Sequence, residues 1–192
     1  MADFNKAFET LMRLEWSNCE DALHKNEGEE GYTFMGVYQK AHPDSILWEI
    51  LDNYKFIEDI DGEPTEEQLK RLSILMCNNT NALQEVKKIY RSEYWNRAKL
   101  YDVNSQKIAE EIFVFGVNAG IDRAIKLAQK IVGVKPDGIV GPRTLAALNG
   151  YNDKLFDIVF DAGEAEYYES LVRAKEKFAR FEDGWLNRAK AV

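Results

Sequence analysis

SQKIAEEIFVFGVNAGIDRAIKLAQKIVGVKPDGIVGPRTLAAL, residues 105–148, decides the fold class. Residues 105–118 read as a buried helix, because the second half is apolar on all sides. Val and Phe would also suit a strand, but the rest of the chain offers no evident partner strands. Asp122 opens a second helix through Ala124, Ile125, Leu127, Ala128 and Ile131, and Gly133 stands where a helix stops. VKPDGIVGP is then a compact loop with a turn at Asp137-Gly138. Pro142 suits the first turn of a short helix, Arg143 to Leu148, which Asn149-Gly150 ends.

Helical spacing continues outward in both directions. Phe4, Phe8, Leu11, Met12 and Trp16 recur in steps of three and four, and Cys19 and Leu23 extend the stripe, so residues 3–25 are expected to form one amphipathic helix capped by Asp3. That helix would deliver Glu27 at or just past its end. After Pro43, Asp44 or Ser45 caps a helix through Ile46, Leu47, Ile50, Leu51 and Tyr54. EDIDGEP, residues 58–64, is a connection whose spacing does not fit a calcium loop. Thr65 and Gln68 form a capping box for a helix ending near Asn78 and Asn79, and another helix runs from about Ala82 to Trp95. Asn152 caps a short helix from Leu155 to Phe160, and a last one covers about Glu164 to Phe181. The expectation is an all-α bundle of eight or nine helices, with at most one small β-hairpin near residues 28–38. No fixed-period repeat occurs, and no linker is long enough to separate two independent domains.

With 192 residues, 45% of them hydrophobic, the chain can bury a substantial core. Its formal charge of −8 argues against nonspecific nucleic-acid binding. The charge is uneven. Between Glu27 and Glu67 twelve acids face only Lys40 and Lys55, whereas between Ile121 and Gly150 five bases face only Asp122 and Asp137. Cys19 and Cys77 lack a partner motif and fit a reducing compartment better than a disulfide framework. His24 and His42 have no metal-ligand spacing with a cysteine, and neither a nucleophile-elbow GxSxG nor a phosphate-cradling glycine loop is present. No metal, cofactor, nucleic-acid partner or stable membrane insertion is therefore expected. The first residues carry Asp3 and Glu9 without a long apolar run, unlike a secretory signal. Carboxylate chemistry is the most available kind.

NEGEEGYTFMGVY, residues 26–38, concentrates that chemistry. Cleaving a glycosidic bond requires a proton donor at the leaving oxygen, usually with a second carboxylate or a positioned water. Glu27 is a candidate donor, with Tyr32, Phe34 and Trp48 as an apolar surround that would raise its pKa. Glu29, Glu30 and Asp44 are candidates for a second carboxylate, and spacing does not choose among them. Tyr38 adds another aromatic face. Asn118, leaving the buried helix, reads first as a cap for backbone groups.

Four blocks, in order, resemble the glycoside hydrolase family 108 lysozymes, phage-type muramidases with a C-terminal peptidoglycan-binding type 3 region. Glu27-Gly28 followed by Gly31 to Tyr38 is similar to the family's EGG…GG-x-T-x-x-G-I pattern. Phe113 to Gly120 is similar to F-D-x-x-V-N-x-G, and Gln129 to Leu148 to L-Q-x-x-x-G…D-G-x-x-G-x-x-T. Arg173, Phe178 and Gly184-Trp185-Leu186-Asn187-Arg188 are similar to the closing R…F…G-W-x-x-R.

The resemblance implies an all-α, lysozyme-like fold and cleavage of the β-1,4 bond between N-acetylmuramic acid and N-acetylglucosamine, with Glu27 as the catalytic acid and Thr33 beside the cleft. Tyr32, Tyr38, Trp48 and Asn118 join Thr33 as substrate-contact candidates, and Asp44 and Glu30 remain candidates for the second carboxylate. Three positions depart from the pattern: the stretch between Glu27 and Thr33 is shorter, Val114 stands at the aspartate, and Ala128 at the leucine. The short stretch removes the family's obvious second carboxylate and favours one acid with a positioned water.

Residues 1–104 would form the catalytic region and 105–192 the peptidoglycan-binding region, packed as one compact unit. The partner would be peptidoglycan glycan strands, reached from the cytoplasm through a holin or an exporter. The competing expectation is a lysozyme-like fold without chemistry that binds peptidoglycan or assists secretion.

Overall fold

The computed structural model describes residues 1–16, 18–26 and 28–174. Contacts divide the chain into two compact units, one made of Met1–Leu14 with Arg91–Val192 and the other of Glu15–Tyr90. The described residues are mostly helical, with eight α-helices, as the hydrophobic spacing predicts, and one antiparallel sheet of three short strands where at most a hairpin is expected.

In the first unit the central element is α5 (Gln106–Ala119), started by Ser105, whose hydroxyl accepts from the Ile108 amide. Phe113 and Phe115 lie two residues apart, which on a helix places them roughly 200° apart around the axis. Both are fully buried, so α5 must be covered on both sides. Phe113 meets Phe4 and Trp95 edge-on, with centroids 5.8 and 5.7 Å away. Phe4 comes from α1 (Phe4–Glu15), and Trp95 from a π-helical turn over Arg91–Asn96. Phe115 meets Phe160 and Tyr168 of α8 (Asp153–Ala174) at 5.7 and 6.0 Å. This two-sided burial removes the strand ambiguity at residues 113–115.

α6 (Ile121–Ile131) follows, and Gly133, at φ +72°, ends the turn after it. α7 (Pro142–Asn149) begins with Pro142, as expected. The helix break expected between Phe160 and Glu164 does not occur. α8 runs unbroken, with the Asn152 side chain accepting from the Leu155 amide at its start. Gly163 is a packing residue there: a Cβ on it would stand 2.6 Å from Leu127 Cδ1 of α6. The glycine lets two helices approach closely and does not stop one. The part of the last helix expected beyond residue 174 lies outside the described residues.

In the second unit, the helix expected over residues 3–25 is corrected. α1 stops at Glu15; a 3-10 turn follows at Cys19–Asp21, and then β1 (Leu23–His24). Long-range bonds override the local stripe. The Leu23 amide donates to Ser73 Oγ at 2.8 Å, and that hydroxyl donates to the Cys19 carbonyl. Ser73 belongs to α3 (Glu66–Cys77), which starts with the expected Thr65–Gln68 capping box. β1 pairs with β2 (Thr33–Phe34), which pairs with β3 (Val37–Tyr38), in register Leu23 to Phe34 and Phe34 to Val37. α2 (Ile46–Ile57), capped by Ser45, and α4 (Thr80–Tyr90) complete the unit. Leu23, Phe34, Val37, Leu47, Leu51, Leu72, Met76 and Val86 form its buried core.

The β2–β3 turn holds Met35 and Gly36 at φ +45° and +77°, the two left-handed positions of a tight hairpin. The Tyr90 hydroxyl donates to the Met35 carbonyl at 2.9 Å. A Cβ on Gly36 would collide with that hydroxyl. Gly36→Ala should therefore cost about 1–3 kcal/mol, combining left-handed strain with the displaced tyrosine. Gly62→Ala, also at positive φ but facing open space, should cost less. Paired urea melts check the order; equal losses would contradict it.

A second consequence concerns α5 and α8. Glu111 is 1% exposed, facing Asp157, Asp161 and Glu164 across the helix pair, with Lys107 3.4 Å away. Burial lifts its pKa from 4.5 to about 9; the Asp157 hydrogen bond and the charges of Glu164 and Asp161 add to this, against Lys107. A carboxyl raised on folding stabilises fully below its unfolded pKa, and that contribution is lost as pH rises through the folded value. Stability should decline between about pH 4.5 and 9. Glu111→Gln, which mimics the neutral acid, should flatten that decline and raise Tm at pH 8. Parallel wild-type and variant Tm profiles would refute the assignment.

Candidate functional site

The acidic stretch 26–38 is organised by the three-stranded sheet. β2 is its central strand, so Thr33 and Phe34 are held from both sides and are buried. Beyond the paired residues, the Gln39 amide donates to the Tyr32 carbonyl at 2.8 Å, and the Tyr32 amide donates to Gln39 Oε1 at 3.0 Å. Gly31, at φ +95°, leaves the room that Gln39 fills: a Cβ there would sit 2.7 Å from Gln39 Oε1. The hairpin is thus clamped at both ends, by Tyr90 at the turn and by Gln39 at the open end.

Glu27 lies outside the described residues. Its flanks are tied together: the Glu29 amide donates to the Asn26 carbonyl at 3.1 Å, and Asn26 Nδ2 donates to Glu29 Oε2 at 2.9 Å. Gly28 takes φ +81° within that turn. These residues follow β1 and no helix end, which corrects the expected delivery of this stretch by α1.

Tyr32, Tyr38 and Glu30 gather near Thr33. The Tyr38 hydroxyl donates to the Glu30 carbonyl at 2.9 Å, and the Glu30 carboxylate pairs with Lys40 at 2.7 Å, both exposed. The Tyr32 hydroxyl donates to Glu63 Oε2 at 3.0 Å, while Lys25 pairs with Glu63 Oε1 at 2.6 Å. Lys25 and Lys55 ammonium groups lie 5.7 and 5.9 Å from the Tyr32 ring centre. Burial first, and then the hydrogen bond to Glu63, push the Tyr32 hydroxyl up to about 12, so it stays a neutral donor. The Lys25 and Tyr32 bonds hold the Glu63 carboxyl below its usual range. Glu63 is the member that sequence reasoning missed. It sits in the EDIDGEP connection, 38 residues from Lys25, and no local pattern marks it.

Two other candidates sit on or beside α2. Asp44 is exposed next to the cap Ser45. Trp48 is only 5% exposed, and its indole N–H donates to the His42 carbonyl at 2.7 Å. This bond holds the segment after β3 against α2. Asn118 belongs to the other unit, where its side-chain amide donates to the Val114 carbonyl at 3.1 Å, the backbone-capping role considered for it.

The 128–148 segment is knit by one residue. Gln129 is 1% exposed; its Nε2 donates to Asp137 Oδ1 at 2.9 Å and to the Ile139 carbonyl at 3.1 Å, and its Oε1 accepts from the Gly138 amide at 2.9 Å. A buried amide with its donors and acceptor used fixes the Asp137-Gly138 turn against α6. The Gln and the DG of the sequence pattern are thus one structural device.

Among the described residues, the carboxylates of Glu111, Asp157 and Asp161 lie within 4.8 Å of one another, a spacing that suits an ion. The Lys107 ammonium, 2.8 Å from Asp157 and 3.4 Å from Glu111, already supplies a cation there. No described helix is long and apolar enough to cross a membrane.

Comparison with known proteins bears on both units. Residues 123–190 match the family described as "Predicted Peptidoglycan domain". The solved structure titled "Structure of Brucella abortus SagA" superposes with a TM-score of 0.61 at 21% identity, covering 97% of this chain and 88% of that one. At that identity the likeness speaks for the fold alone. No match was found among curated proteins. Residues 22–120, more than half of the chain and including the whole acidic hairpin, match "Glycosyl hydrolase 108". With its lysozyme-like helical fold and small sheet, the chain belongs to the glycosyl hydrolase 108 family, glycoside hydrolases, and carries a predicted peptidoglycan domain behind the hydrolase region.

Proposed function

We propose that this protein is a muramidase that hydrolyses the β-1,4 bond between N-acetylmuramic acid and N-acetylglucosamine in peptidoglycan, with Glu27 as general acid. The observation that carries the reading is the glycoside hydrolase match over residues 22–120, which spans Glu27, Glu30, Thr33 and Asp44. The peptidoglycan-domain match behind it supplies the substrate class. Residues 1–104 provide the chemistry in this reading, and residues 105–192 hold the wall polymer.

Glu27 gives its proton to the leaving oxygen of N-acetylglucosamine as the bond to the muramic acid C1 breaks. The positive charge that develops at C1 is met by a water, whose proton passes to a carboxylate. Glu30 and Asp44, both exposed in the same unit, are the two candidates for that acceptor. Tyr32, as a neutral phenol, and Tyr38 provide flat faces for sugar rings, and Thr33 holds the strand between them. The enzyme would act as an endolysin of phage or prophage type, reaching the wall from the cytoplasm through a holin or a dedicated exporter.

Glu27→Gln removes the proton and keeps the shape. It should lower the release of reducing sugars from purified peptidoglycan by roughly 10²–10⁴-fold, the usual share of a general acid, while the melting profile stays that of the wild type. Lysis at the wild-type rate would sink the assignment. A wild-type protein that pulls down with peptidoglycan yet releases no reducing ends would support the noncatalytic binding reading instead.

A further inference from the structure

A groove of about 1070 Å³ opens in the first unit along α5, α6 and α8. It is larger than most small-molecule pockets, which span about 300–1,000 Å³, and its size suits an extended chain better than a single ion. None of its described lining residues comes from the acidic hairpin. Its charge opposes that of the whole protein. Arg97, Arg123, Lys126, Lys130 and Arg173 line it, against the carboxylates of Glu93, Asp122 and Glu166. Asp122 is already taken by Arg97, through two bonds of 2.7 and 2.9 Å.

Three cations are presented to a ligand. Arg123 lies over the Tyr167 ring, 4.4 Å from its centre, and also donates to the Ala119 carbonyl, so its guanidinium is held in place. Lys126 and Lys130 are exposed one helical turn apart on α6, and neither has an ion pair among the described residues. The Lys126 stem lies against the loop at Gly138, where an added Cβ would stand 3.2 Å from its Cε. Ammonium groups with no ion pair among the described residues, beside a stacked guanidinium, form a site for carboxylates.

The chemistry of the wall then selects the occupant. Glycan strands of N-acetylated sugars are uncharged where a peptide caps the lactyl group. The negative charge of peptidoglycan sits on the carboxylates of its stem peptides. Resting on the peptidoglycan reading above, we propose that the α5–α6–α8 groove binds the stem peptide, with Arg123, Lys126 and Lys130 taking its carboxylates. Arg123, Lys126, Lys130 and Tyr167 all fall within residues 123–190, the span matched by the peptidoglycan domain. The groove would tether the enzyme by the peptide while the acidic hairpin works on the sugar. It also explains why a chain of charge −8 keeps a local excess of bases on α6.

The test is titration calorimetry of the full-length protein with a synthetic tetrapeptide stem bearing free carboxylates. The same peptide with its carboxylates amidated serves as the control. The free acid should bind, weakening as salt rises, and the amidated peptide should not. Lys126→Glu with Lys130→Glu, both at exposed positions and therefore expected to fold, should weaken binding roughly tenfold or more; Lys126→Arg with Lys130→Arg should keep it. Binding of the free acid unaffected by the double charge reversal, equal binding of both peptides, or no binding to the wild type would each overturn the groove. This outcome is separate from the hydrolase reading. Peptide binding that depends on the lysines, in a protein that releases no sugar, would support the groove and refute the hydrolysis.

Discussion

The Tyr90 hydroxyl on the Met35 carbonyl is the bond on which the rest of the second unit depends. It closes a turn whose two central residues are both left-handed, a conformation Met35 would not hold unaided. With that turn fixed, β2 and β3 have only one register, because a slip of one residue would turn Phe34 and Val37 out of the core. β2 in turn pairs with β1, and Ser73 anchors β1 to α3. The acidic stretch is thereby suspended between two fixed points, Leu23-His24 before it and Thr33 after it. A loop with several carboxylates and few apolar side chains could not order itself. Here the order is supplied by a tyrosine and a serine more than forty residues away in sequence.

The same contrast between local and distant bonds explains what could be read from the chain beforehand. Helix starts and stops were legible wherever the signal is local: Ser45, the Thr65–Gln68 box, Ser105, Gly133 and Pro142 all act where they stand in the sequence. The apolar all-round character of residues 112–116 correctly marked α5 as the buried axis of its unit. The end of α1 at Glu15 was not legible, since the stripe continues through Cys19 and Leu23 and only Ser73 and the sheet redirect it. The continuity of α8 through Gly163 was not legible either, because the reason for that glycine lies in Leu127 on another helix. The Tyr32–Glu63–Lys25 cluster joins the acidic stretch to a connection 31 residues beyond Tyr32, and Trp48 is buried with its indole N–H on the His42 carbonyl. The bonds that the candidate side chains make could not be read from the sequence, because most of their partners are distant in it.

The two units divide the electrostatics. The hairpin unit carries the acidic stretch to which the proposed proton transfer is assigned, and a neutral Tyr32 phenol is held there by burial and Glu63. The helical unit carries the basic groove and the Gln129-clamped loop that shapes one side of it. Polymer chemistry gives each a counterpart, since peptidoglycan is uncharged along its sugars and anionic along its peptides.

As the proposed muramidase, this chain would cut peptidoglycan by hydrolysis on the muramic acid side of the linkage. Mass spectrometry of the soluble products from purified peptidoglycan tests it most directly. Hydrolysis at that bond yields fragments ending in a reducible N-acetylmuramic acid. Fragments ending in anhydro-muramic acid, fragments ending in a reducible N-acetylglucosamine, or no soluble fragments at all would contradict it.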